Sequence, residues 1–88
     1  MEVPEEIQAR YMERRKKDLE TCLLSLEKKN FPEIEKVGHQ LKGNGLTFGF
    51  SELSSIGTHL EQAASKRNMT ELEKALKDFS SWVNQHIH

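Results

Sequence analysis

Cysteine is almost missing from this 88-residue sequence: Cys22 is its only one. That excludes an internal disulfide and a cysteine-based zinc site. No apolar run approaches the ~20 residues needed to cross a bilayer. The opening Met1-Glu2-Val3-Pro4-Glu5-Glu6 lacks the basic and apolar regions of a signal peptide. A soluble, reducing, cytoplasmic setting is the expectation. Charge of one sign is also missing, with 13 basic against 14 acidic residues. This argues against nucleic acid as a partner, because binding a phosphate backbone needs a concentrated positive field. The one basic run, Arg14-Arg15-Lys16-Lys17, is diluted by Glu13, Asp18 and Glu20 and reads as a solvated helix face. Linkers, low-complexity stretches and internal repeats are lacking as well. The length suits one domain over 1–88 with a thin stability margin.

What is present is helical periodicity. Pro4, Glu5 and Glu6 suit a helix start, and Ile7, Tyr11, Leu19, Cys22, Leu23 and Leu26 form an apolar stripe to about Lys29. The stripe is thin between Tyr11 and Leu19, which leaves room for a kink or break there. Asn30-Phe31-Pro32 reads as a turn. Ile34, Val37, Leu41, Gly45 and Phe48 then share a face, and Gly49 can end that helix in a left-handed conformation. Ser51 reads as the N-cap of a third helix carrying Leu53, Ile56, Leu60, Ala63 and Ala64. Thr70 with Glu73 reads as a capping box for a fourth, with Leu72, Ala75, Leu76, Phe79 and Val83 inward. The predicted helices are 5–29, 33–48, 51–67 and 70–86. Short connections make this an all-α, antiparallel four-helix bundle.

One stretch breaks the local rules. Residues 43–49 hold three glycines, Gly43, Gly45 and Gly49. Each glycine inside a helix costs about 1 kcal/mol relative to alanine, so packing or function must offset it. On a helix of about 100° per residue, Ile34, Val37, Gly38, Leu41, Gly45 and Phe48 fall within one arc of roughly 100°. Gly38 and Gly45 then allow a neighbouring helix to approach. His39 lies roughly 140° from the centre of that arc and projects into water. Lys42 and Gly43 follow it at i+3 and i+4, on its side. A neutral imidazole offers an unprotonated nitrogen that can attack phosphorus. Lys42 supplies a cation for phosphoryl oxygens, and Gly43 leaves clearance for a partner. Leu46, exposed and apolar, and Glu35 are candidate partner-docking residues. From spacing alone a surface histidine beside a lysine is more often just a solvated pair.

His39-Gln40-Leu41-Lys42-Gly43, followed by Gly49-Phe50, Leu53 and Leu60-Glu61, resembles the H-x-L-K-G signature and downstream spacing of histidine-containing phosphotransfer (HPt) domains. The resemblance is close over residues 33–64. It departs at Asn44, where the family often has serine or threonine. It implies a four-helix bundle and a phosphorelay phosphocarrier in two-component signalling. His39 would be the phosphoacceptor, Lys42 the electrostatic partner and Gly43 the clearance. The partner would be a response-regulator receiver domain or hybrid histidine kinase. The receiver would supply the aspartate, the Mg²⁺ and most of the catalysis, leaving this chain with no cofactor and no independent turnover. A monomer without nucleic-acid or membrane partners is expected.

Two other readings compete. An HPt-like adaptor would bind a receiver without chemistry, but His39, Lys42 and Gly43 are all in place. A helix-turn-helix near Phe48-Gly49-Phe50-Ser51 would lead into a helix carrying Glu52 and Glu61, with cations only at its far end, unlike a recognition helix. His59 reads as solvated, and His86 and His88 as part of a frayed C-terminus whose i,i+2 spacing does not suit a metal. Trp82 and Phe79 read as core or core rim, and Tyr11 and Met12 as packing at the bundle's end.

Overall fold

The computed structural model describes residues 3–87. Among them are four helices and no strand: α1 (Glu5–Glu27), α2 (Phe31–Thr47), α3 (Ser51–Ser65) and α4 (Met69–His86). Three-residue connections force each helix to reverse on the one before. Each packs on its chain neighbours, and α1 closes the ring against α4, while the backbones of diagonally opposed helices stay apart. The result is the expected antiparallel four-helix bundle. Ile34, Leu41, Leu53, Leu60, Leu72, Phe79 and Trp82 fill its centre.

The three turns share one device. Lys29, Gly49 and Arg67 take positive φ values of 55°, 89° and 53°. The following amide then reaches back to close the preceding helix: Asn30 N to Ser25 O at 2.8 Å, Phe50 N to Gly45 O at 2.7 Å and Asn68 N to Ala63 O at 2.9 Å. At two turns the asparagine also starts the next helix. Asn30 Oδ1 accepts from Glu33 N, and Asn68 Oδ1 accepts from Glu71 N. Asn68 is therefore the cap of α4, two residues ahead of the expected Thr70–Glu73 box. Ser51 is not an N-cap either. Phe50 occupies that position without a side-chain cap, and Ser51 is the first helical residue.

α1 differs most from its sequence pattern. It runs without a break where the stripe is thin, because Arg15 fills the gap. Only 7% of Arg15 is exposed. Its guanidinium lies 4.2 Å from the Tyr11 ring centroid. Its Nε lies 2.9 Å from Asp18 Oδ2, an ion pair without hydrogen-bond alignment. The basic run is thus not wholly a solvated face. Ile7 and Leu23, placed on the apolar stripe, are exposed. Phe48, expected to be buried, is half-buried at the C-cap of α2 and stacks on Tyr11 at 4.4 Å. His86 is not frayed: its Nδ1 donates to Trp82 O at 2.8 Å and its ring stacks on Trp82. His88 lies outside the described residues. His59 is exposed as expected. Cys22 is fully buried, and burial pushes its thiol up to about 12.

Candidate functional site

The site forms where α2 crosses α3, and glycine sets how close they come. A Cβ on Gly38 would stand 2.5 Å from Glu61 N, and one on Gly57 2.5 Å from Lys42 N. A Cβ on Gly45 would meet Ser54 N at 2.7 Å. The two backbones therefore touch along this line, and Ser54 Oγ donates across it to Lys42 O at 2.6 Å. Gly38 and Gly45 face inward as their helical positions require. Gly57 completes the contact from the α3 side.

This close approach brings Glu61 of α3 beneath His39 of α2. His39 stands at mid-helix with its side chain 71% exposed, and its Nδ1 is 2.6 Å from Glu61 Oε2. Lys42 Nζ donates to the other carboxylate oxygen at 3.2 Å. The hydrogen bond from His39 holds the Glu61 carboxyl below the usual carboxylate range. Lys42 adds to that lowering, and desolvation opposes it. A carboxyl with a depressed pKa is ionised throughout neutral pH, so the pair is lost only as pH falls through that lowered value. An ionised carboxylate can only accept, so Nδ1 carries the hydrogen. In the neutral tautomer this leaves the lone pair on Nε2, on the ring edge away from Glu61.

The other expected residues fall around this centre. Glu35 is half-buried and lines a shallow depression with His39, Gln40 and Glu61. Leu46 is 64% exposed, almost two turns along α2 from His39. Gly43 has no atom within 4 Å of a Cβ built on it, and its φ is not positive. Neither packing nor backbone geometry requires glycine there. Gly43→Ala should therefore stabilise the bundle by up to about 1 kcal/mol, measured by thermal unfolding. Gly43→Leu should be at least as stable as the parent yet impair docking of a partner on this face. A loss of stability in Gly43→Ala would contradict the open surroundings.

Asn44 has a role of its own. Its Oδ1 accepts from Tyr11 Oη and ties α1 to α2. A serine or threonine at this position would be too short to make the same bond. Glu61 is the residue whose part the sequence did not reveal. It stands in the Leu60-Glu61 pair of the motif, but it lies 22 positions from His39 and only the helix crossing brings them together. No cluster of metal-ligating side chains occurs among the described residues.

An Hpt domain family model matches residues 6–84, nearly the whole chain, and the chain belongs to that family. It is thus a histidine-containing phosphotransfer domain of phosphorelay signalling, a class of phosphocarriers rather than conventional enzymes. Partners of this class are receiver domains or kinases. No curated protein and no solved structure gives a significant match. No described helix is long and apolar enough to cross a membrane.

Proposed function

We propose that this chain is a phosphorelay carrier whose His39 takes a phosphoryl group from the phospho-aspartate of a response-regulator receiver and can pass it on. The observation that carries this reading is the His39–Glu61 pair, which commits Nδ1 as donor and leaves the lone pair on Nε2 of an exposed side chain. In the transfer, the Nε2 lone pair forms the new N–P bond. The bond between phosphorus and the aspartyl oxygen breaks, and its electrons return to the receiver's carboxylate. The phosphorylated ring keeps its Nδ1 hydrogen, now carries positive charge, and is stabilised by Glu61 beneath it.

Lys42 is half-exposed beside the acceptor. It balances Glu61 in the resting state and can swing to the phosphoryl oxygens once they arrive. Gly43 gives the receiver clearance, and Leu46 and Glu35 contribute to its docking surface. The receiver supplies the Mg²⁺ and most of the catalysis. The chain has no cofactor of its own and acts as a cytoplasmic monomer without independent turnover.

The test is incubation with a panel of phosphorylated receiver domains and Mg²⁺, with phosphoramidate as a small chemical donor in parallel. Mass spectrometry under non-acidic conditions should map the phosphate to His39. Modification of another residue, or no uptake from any donor, would overturn the reading.

A further inference from the structure

A second concave surface lies on the opposite flank of α2 from Glu61. It is an open groove of about 530 Å³ between α1 and α2, where Ile7, Arg10, Arg14, Gln40, Asn44 and Phe48 contribute to the lining. Arg15 and Tyr11 complete it, and no carboxylate lines it. Arg15 is paired with Asp18. Arg10 and Arg14, one turn apart on α1, make no ion pair among the described residues. Two cations without a direct ion pair therefore face the groove, Arg14 within the field of Asp18, in a chain whose formal net charge is −1. Ile7 is 45% exposed at the same place and adds an apolar contact.

The groove is continuous with the acceptor face. Gln40 lines both this groove and the depression that holds His39 and Glu61. A protein seated over His39 thus reaches α1 without a gap. Resting on the reading of His39 as acceptor, we infer that the α1/α2 groove selects the receiver. It takes an acidic segment of that partner, whose carboxylates pair with Arg10 and Arg14 while an adjacent apolar side chain covers Ile7. Two cations beside an apolar residue fit a short acidic peptide segment better than a nucleic-acid backbone, which needs a longer cationic track. Charge pairs at the edge of an interface act mainly on encounter and partner choice, and salt screens them.

The experiment compares the full chain with Arg10→Glu/Arg14→Glu, using the receiver from the panel that transfers fastest to the wild type. Lys74→Glu/Lys77→Glu makes the same charge change on the exposed side of α4, at residues that do not line the groove. The groove variant should raise KM for the phosphorylated receiver roughly tenfold, with kcat little changed. It should also lose most of the salt dependence of wild-type transfer. The α4 variant should behave as wild type. Labelling of His39 by phosphoramidate should be equal in all three, because that donor needs no docking surface. Equal KM values for groove variant and wild type, with phosphoramidate labelling intact, would overturn the inference while leaving His39 as acceptor. So would salt-sensitive binding of the wild type to duplex DNA that the groove variant loses. Failure of every donor to label wild-type His39 would instead remove the underlying reading.

Discussion

His39→Ala is expected to take up no phosphate above background from a receiver or from phosphoramidate, while folding as the wild type does. The loss should be complete if, as proposed, Nε2 of this one ring is the atom that forms the bond to phosphorus. Stability should move by less than about 0.5 kcal/mol, as for most exposed substitutions. The side chain buries little, and Lys42 remains to balance Glu61. Binding to the receiver should persist, which separates acceptor chemistry from docking. Radiolabel transfer and thermal unfolding on the same preparation make the comparison. The residue to watch is His59. It is exposed, in a depression that Glu71, Lys74 and Asp78 line with it. Label on His59 in the variant would defeat the assignment.

Gly57→Ala should be a strongly damaging small change. Its methyl would stand 2.5 Å from Lys42 N and 2.7 Å from Gly38 O, both backbone atoms in the middle of α2. No side chain can move aside, so the two helices must part. Overpacking of this kind costs about 1–3 kcal/mol, sometimes more, against a helix-propensity gain of about 1 kcal/mol. In a domain of this size each kcal/mol moves Tm by about 4–8 °C, so a clear drop is expected by circular dichroism. Parting the helices also draws Glu61 away from His39, so phosphoryl transfer should slow even where the protein stays folded. The contrast with Gly43→Ala, one turn from His39 on the open side, is the sharper test. One added methyl should raise Tm and the other lower it. A Gly57→Ala protein that unfolds at or above the wild-type temperature would show that the α2–α3 crossing is softer than these distances imply.

Four helices and a histidine on the outer face of the second were legible from residue types alone. Both follow from spacing within a single helix. Apolar residues every three or four positions specify which side turns inward, and that fixes where His39, Lys42, Gly43 and Leu46 must point. The same logic turned Gly38 and Gly45 inward, and Gly49 alone announced its turn, because glycine is the residue that enters positive φ freely. Lys29 and Arg67 adopt the same conformation without any such signal, held there by the helix ends they close.

The tertiary structure decided everything that depends on a neighbour from another helix. Arg15 looks like a surface cation until the packing of α1 on the bundle buries it. Asn44 looks like a departure from a motif until Tyr11 donates to it. Gly57 looks like a weak point in α3 until Lys42 and Gly38 press against it. Glu61 becomes the partner of His39 only because α2 and α3 meet at backbone contact. Periodicity sets the direction of each side chain about its own axis. It carries no information on the distance and angle at which two axes cross, and that distance is what sets Glu61 against His39 Nδ1.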